Sequence, residues 1–434
     1  MSGNPTPVAG EASAATTDAN WRPGFWSLMA TQFQGAFSDN TLKQLVIFLV
    51  MAQQWPKERL DKLVSDAGVY FAIPFLLFSA YGGWMADRFS KRTVMVWAKG
   101  FEVGVMGFAT FALATARLDM QLFSIGLMGM QSAFFAASKY GSLPELVPLP
   151  RLTWANGILE MLTFLAIILG TLGAGVLATI FPGQPAWSGA VLIGLSLAGF
   201  AASLGIGRKP AADPTKPWRL NFLGGLWREC AYMRTDRDLW RANLGNMLFF
   251  FIAALVQMNL LLYASHVLKV EPLENSSLQA ALAIGIGMGS LLAGRLSHGH
   301  VEYGLIPLGA FLLAAMCAVA GWPGLPKAGF LVALVMLGVG GGLFIVPLAA
   351  ILQHRPTPDR KGSVQGTAAW LSWVGIVVAA LLQKQLSLTL GWGPEAIFWF
   401  CGVAALLSGI YILHSRPGTL RGLWSRLHSD RPPS

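Results

Sequence analysis

Charge is scarce in this chain. Only 12% of its 434 residues are Asp, Glu, Lys or Arg, while 54% are hydrophobic. A soluble domain carries about 25% charged residues, so the deficit points to a membrane-embedded chain rather than a soluble one. Cysteine is almost missing: Cys230, Cys317 and Cys401 stand far apart, without metal or redox spacing, and read as inert packing residues. The six histidines are equally scattered, so no convergent nucleophile or metal set is available for an enzyme, and no metal or cofactor is expected. No glycine-rich stretch has the strand-to-helix context and following Lys-Ser/Thr of a phosphate loop, which excludes direct use of ATP by this chain. An apolar h-region is lacking from the first twenty residues, so no cleavable signal peptide is expected, and residues 1–24 read as a short disordered cytoplasmic tail.

What the chain does have is a series of apolar stretches about 18–25 residues long, the span of roughly 30 Å of hydrocarbon as a helix. They fall near 25–53, 67–86, 94–115, 120–139, 153–181 and 187–206, then near 243–267, 276–296, 303–322, 328–352, 364–389 and 394–414. The expected fold class is an all-α membrane protein with twelve transmembrane helices. The one long polar connection, 207–242, divides it into two six-helix bundles, 25–206 and 243–415, ahead of a basic tail at 416–434. Leu223, Leu226, Trp227, Ala231 and Met233 give part of that linker an apolar face, consistent with a short interfacial helix or a plain tether.

The net charge of +10 is a topology signal rather than a nucleic-acid footprint. Basic residues gather in the linker, at Arg88, Lys91 and Arg92, at Arg355, Arg360 and Lys361, and on the tail. All of these fall on one side if twelve spans alternate. The positive-inside rule then puts both termini and the linker in the cytoplasm.

Several polar residues interrupt the apolar spans. Asp39, Asn40 and Lys43 lie inside the first, where an ionisable group costs about 2.5–3.5 kcal/mol by insertion scales and usually lines a pathway. Asp39 either faces such a pathway or is neutralised by Lys43 one turn on. Lys139 closes span four, where it either snorkels to the interface or pairs inward with Glu160 of span five. In the second half, Gln257 and Asn259 interrupt span seven and Gln353 ends span ten; these amides either bind a polar ligand or join helices. The glycines of spans five and eight read as packing residues, and those of span ten, followed by Pro347, suggest a flexible or kinked helix lining a cavity.

The loop Gly82-Gly83-Trp84-Met85-Ala86-Asp87-Arg88-Phe89-Ser90-Lys91-Arg92 resembles the signature between helices two and three of the major facilitator superfamily, G-x-x-x-D-R-x-x-R/K-R/K. With the six-plus-six division it implies the major facilitator fold, with substrate held between halves that rock against each other. Gly83 permits close helix approach, and Asp87 is suited to meet a basic group or a helix terminus of the other half. Arg88, Lys91 and Arg92 supply charge for topology and latch. The equivalent stretch of the second half, Gly289 to Ser297, has no aspartate, so its gating role is expected to be weak.

A closer resemblance lies in Gln32-Phe33-x-Gly35-Ala36-Phe37-x-Asp39-Asn40, Ala137-Ser138-Lys139-Tyr140-Gly141 with Pro144-Glu145-Leu146, Ala155-Asn156-Gly157, and Gly341 to Leu348. These are similar to the lysophospholipid transporters. That resemblance implies flipping of lysophospholipids, chiefly lyso-phosphatidylethanolamine, from the outer to the inner leaflet of a bacterial inner membrane. A separate acyltransferase would then re-acylate them. It implies substrate-binding roles for Asp39, Asn40 and Lys139, with Gln257 standing where a basic residue of span seven would be sought. Lys43, Glu160 and Asn259 are further candidates for substrate or coupling roles. The expected partners are the lysophospholipid substrate and membrane lipids, with no nucleic acid, and the transporter is expected to work as a monomer. His354 to Asp359 matches the letters of the acyltransferase motif H-x-x-x-x-D, but two prolines in a short loop deny it an active-site scaffold. The alternative is a proton-coupled facilitator exporting drugs or moving a small solute, with Asp39 or Glu160 as proton carrier. A non-transporting scaffold would have no need of buried charge.

Overall fold

The computed structural model describes residues 20–416 and 419, apart from 52, 54, 55, 219, 220, 270, 271 and 298. Most of both expected tails lies outside the described residues. In hydrocarbon every backbone N–H and C=O must be paired within the chain, so the apolar runs fold as helices. The first half comprises α1 (Arg22–Met51), α2 (Lys57–Arg88), α3 (Lys91–Ala114), α4 (Leu118–Leu146), α5 (Leu152–Ile180) and α6 (Pro185–Leu204). A shorter helix, α7 (Phe222–Thr235), follows in the linker. The second half holds α8 (Arg237–His266), α9 (Pro272–Leu296), α10 (Leu305–Ala320), α11 (Lys327–His354), α12 (Lys361–Lys384) and α13 (Pro394–Ser415). Among the described residues, ten helices are long and apolar enough to cross a membrane on that ground alone. Of the other two, α10 is apolar but short, and α1 carries Asp39, Lys43 and several amides.

The two halves repeat one packing plan. In the first, α1 packs on α5, α2 on α4 and α3 on α6; in the second, α8 packs on α12, α9 on α11 and α10 on α13. Each half has its own apolar core, around Leu45, Val105 and Leu192 in one and Leu255, Phe330 and Phe398 in the other. The halves meet through α2 with α12 and α5 with α9, with lesser contacts of α4 on α12 and α5 on α11.

Three local differences from the expected spans bear on the site. Helix α2 starts ten residues earlier than span two, at Lys57. Helix α4 continues through Pro144 to Leu146, so Lys139 is buried within it rather than snorkelling from its end. Helix α11 is one continuous element across Pro347. Its glycines serve packing: a Cβ on Gly338 would lie 2.3 Å from the Leu282 carbonyl oxygen and one on Gly342 2.4 Å from the Ser290 nitrogen, both on α9.

The linker is folded. The Asn221 side chain caps α7 by accepting from the Gly224 amide at 2.8 Å, and α7 buries Leu226 and Met233 while Leu223 and Trp227 face out. Asp236 caps α8 through the Asp238 and Leu239 amides at 2.9 and 3.3 Å and accepts from Arg355. Burial pushes the Asp236 carboxyl up, but these donors outweigh it and hold it below the usual carboxylate range.

Candidate functional site

Between the halves lies a cavity of about 300 Å3, and its first-half wall is ionic. Asp39 and Asn40 of α1, Lys99 of α3, Lys139 of α4 and Glu160 of α5 line it. Asp39 Oδ2 accepts from the Ser132 hydroxyl at 2.7 Å, while its buried Oδ1 has no hydrogen-bond partner. Lys43 forms no direct ion pair with it: that ammonium lies over the Phe71 ring, 5.5 Å from the centroid, and is not part of the cavity wall. Asn40 donates to the Ala36 carbonyl of its own helix at 2.8 Å. Lys139 makes no ion pair among the described residues; its ammonium sits 4.2 Å from the centre of the Tyr140 ring, whose hydroxyl donates to Glu160 at 2.9 Å. The aromatic ring thus links the lysine and the glutamate that the sequence places in one half.

Behind Asp39 is a buried polar network that the sequence reading did not identify. Lys99 and Glu102 form an ion pair at 2.6 Å with both side chains 0% exposed. Gln34 accepts from Lys99 at 2.7 Å and donates to Glu102 at 2.9 Å, and Gln131 donates to Glu102 at 3.1 Å. The Ser132 hydroxyl, which serves Asp39, is also 3.0 Å from the Gln131 side-chain oxygen Oε1. Gly35 makes the arrangement possible, since a Cβ there would stand 2.7 Å from the Lys99 ammonium. Opposite charges three residues apart within span 94–115 were the available signal.

The second-half wall is amide and aromatic, but it is not the one expected. Gln257 is exposed and its amide reaches only Gln279, at 3.4 Å. Asn259 is buried, donating to the Pro394 carbonyl at 2.8 Å, where it ties α8 to the start of α13. Neither lines the cavity. Asn246, Gln365 and Ser372 do, with Asn246 donating to the Ser372 hydroxyl at 2.8 Å. Apolar lining comes from Phe71, Phe75, Phe250, Ile345, Trp373 and Ile376, and Phe75 stacks on Trp373 across the halves with centroids 4.4 Å apart.

On the linker side the cavity is closed by two seams. In the first, Asp87 at the end of α2 caps the start of α12: Oδ1 accepts from the Gly362 amide at 2.6 Å, and Oδ2 from the Ser363 amide at 2.9 Å and hydroxyl at 2.6 Å. The carboxylate sits where the partial positive charge of the helix N-terminus concentrates. A Cβ on Gly83 would be 2.7 Å from the Gly362 carbonyl oxygen, so only glycine lets these backbones meet. The three basic residues of the loop do not cross to the other half. Arg88 donates to the Lys216 carbonyl in the linker, Lys91 pairs with Glu145 at 2.6 Å, and Arg92 donates to the Leu204 carbonyl of α6 at 2.7 Å. They brace the first half and its linker, while Asp87 and Gly83 make the contact with α12 across the halves.

The second seam is α5 against α9, where a Cβ on Gly157 would be 2.4 Å from the Ser290 carbonyl oxygen. Beside it, Asn156 of α5 and Gln353 of α11 exchange two hydrogen bonds across the halves, at 2.9 and 2.7 Å. Of the two roles open to Gln353, it joins helices.

The model of the Major Facilitator Superfamily matches residues 44–380 and, in a second match, 244–426. The lysophospholipid transporter LplT of Salmonella enteritidis PT4 (strain P125109) is 30% identical over 382 residues, which cover 86% of this chain and 90% of that protein. The chain belongs to the lysophospholipid transporter family of that superfamily. LplT of Citrobacter koseri is 29% identical over the same shares of the two chains. Among solved structures, the human organic anion transporter MFSD10 (TETRAN) aligns with a TM-score of 0.79 at 15% identity, covering 91% of this chain and 99% of that one. FucP in its outward conformation aligns with a TM-score of 0.72 at 11% identity, covering 89% and 98%. At such identities these two speak to the fold alone. The protein is a multi-pass membrane transporter of the facilitator type, with its ionic cavity at the interface of the halves.

Proposed function

We propose that this transporter flips lysophospholipids, with lyso-phosphatidylethanolamine the favoured substrate, from the outer to the inner leaflet of a bacterial inner membrane. The linker and both termini lie in the cytoplasm, and a separate acyltransferase consumes the product. One observation carries this reading: a lysine without an ion pair and a half-satisfied aspartate share one cavity inside the membrane. Buried charges that lack a direct ion pair are costly there, and a zwitterion supplies one to each. Its phosphate meets Lys139 as a charge-assisted acceptor, and its ammonium meets Asp39 Oδ1. The aromatic and aliphatic wall from Phe71 to Ile376 suits the start of an acyl chain. The lysophospholipid transporters at about 30% identity support the substrate class.

Labelled lyso-phosphatidylethanolamine is offered to spheroplasts lacking other uptake routes, with and without this chain. Internal label that depends on the chain supports the proposal, and equal label sinks it. The half-satisfied Asp39 carboxylate, with the buried Glu102 carboxylate behind it, favours a second reading, a proton-coupled facilitator for another solute. Collapsing the proton gradient separates the two: the lipid activity survives and a proton-coupled one stops.

A further inference from the structure

The strand of linker that precedes α7 is docked on the first half. The Asp213 amide donates to the Asp87 carbonyl at 2.9 Å, the Trp84 indole to the Pro217 carbonyl at 3.0 Å, and Arg88 to the Lys216 carbonyl. Trp218 stacks on Tyr81, with centroids 5.2 Å apart, and packs edge-on against Trp84 at 4.5 Å. All of these partners belong to α2. From this strand the Lys216 ammonium reaches over to the second half. It lies 2.7 Å from Asp87 Oδ2, 3.0 Å from the Ser363 hydroxyl and 3.2 Å from the Asp359 carbonyl oxygen. An ammonium has three protons, and the closed seam offers three acceptors.

We propose that Lys216 is a gate residue, and that through it the linker holds the linker side of the transporter shut. The Asp87 side chain is 0% exposed in the seam. Its donors from α12 are neutral groups, so a full negative charge would remain in a low-dielectric contact without a cation. Lys216 cancels it. Lys91 and Arg92 are committed to Glu145 and the Leu204 carbonyl and do not take its place. When the halves part on this side, Ser363 and Asp359 leave with the second half while the strand stays on α2. Two of the three ammonium contacts therefore exist only in the closed state, and only such differential contacts bias a conformational equilibrium. The linker is then a working strap rather than a tether, whichever solute is carried.

The test uses the full chain in membranes, with Cys230, Cys317 and Cys401 replaced by alanine and a reporter introduced by Ser290→Cys. Ser290 is fully buried in the α5–α9 seam and is reached by reagent only when the linker side opens. Lys216→Ala should raise the labelling rate by a membrane-permeant maleimide about fivefold or more, the scale on which one such contact shifts a two-state ratio. Lys216→Arg should return the rate toward that of the parent. A second reporter, Ala405→Cys in the core of the second half, should stay unlabelled throughout. If Lys216→Ala does not reach the membrane, Lys216→Gln is read in its place. Labelling at the parent rate, while Asp87→Ala raises it, overturns the proposal. Equal labelling gains at Ser290 and Ala405 also overturn it, because they report general loosening rather than a gate.

Discussion

Asn156 and Gln353, 197 residues apart, satisfy each other's amides across the interface between the halves, with both side chains fully buried. The pair lies beside the α5–α9 seam, so the linker side opens only if two side-chain amides exchange each other for water. Asn156→Leu leaves Gln353 unpaired, a penalty of about 1–3 kcal/mol against the closed state. Combining it with Gln353→Leu removes the orphan and restores an apolar seam. Linker-side cysteine labelling should rise in the single variant and fall back in the double one, with a coupling of about 0.5–3 kcal/mol. Additive effects of the two substitutions would contradict the pairing.

The buried pair Lys99–Glu102 gives a stability prediction. Glu102→Gln leaves the Lys99 charge without its counterion and should destabilise the protein by about 3–5 kcal/mol. Lys99→Met together with Glu102→Met, which removes both charges, should recover part of the loss, less the cost of about 1–3 kcal/mol of leaving the Gln34 and Gln131 amides without these partners. Thermal unfolding in detergent reads both, and a single variant as stable as the parent would show that the pair is not holding α3 in place.

How much of this was legible in the sequence depends on how local the signal was. The partners of Asp87 were legible, because the loop that carries it is contiguous and its chemistry calls for a helix terminus or a cation; the structure supplies both. Asp39 and Lys43 were legible as a pair but not in their contacts. Their one-turn spacing suggests mutual neutralisation, but Lys43 turns to Phe71 while Asp39 turns to Ser132. Gln257 was misplaced in depth rather than in phase: it stands about three turns beyond Asn246 on the same face of α8, past the level of the cavity. Asn246, on the same helix, faces the cavity. Gln353 was visible as a polar residue but not as a partner, since nothing local connects positions 156 and 353.

Gly83 tests the latch by volume alone. Any side chain there must push against the Gly362 backbone, which has no flexible end to move aside. Gly83→Val should leave each half folded on its own core and should still reach the membrane, but should transport at under about a tenth of the parent rate, the factor that 1.4 kcal/mol on the closed state produces. Parent-level transport by this variant would show that the close approach of α2 and α12 is dispensable.

The two walls of the cavity predict a contrast between helix positions. Gln257→Ala, on the exposed face of α8, should change uptake by no more than about twofold, as surface substitutions do. Asp39→Asn removes a charge-assisted contact worth about 1.5–3 kcal/mol, and so should weaken lysophospholipid binding about tenfold or more. Kinetics of labelled-lipid uptake check both, and a Gln257→Ala defect equal to that of Asp39→Asn would move the second wall back to Gln257.

The most direct measurement is lipid flipping by the purified protein. Labelled lyso-phosphatidylethanolamine is added to the outer leaflet of vesicles containing the protein, and albumin then extracts whatever remains outside. The account predicts that extractable label falls with time in these vesicles, with and without a proton gradient, and that Lys139→Gln slows the fall. Label that stays as extractable as in protein-free vesicles would contradict it.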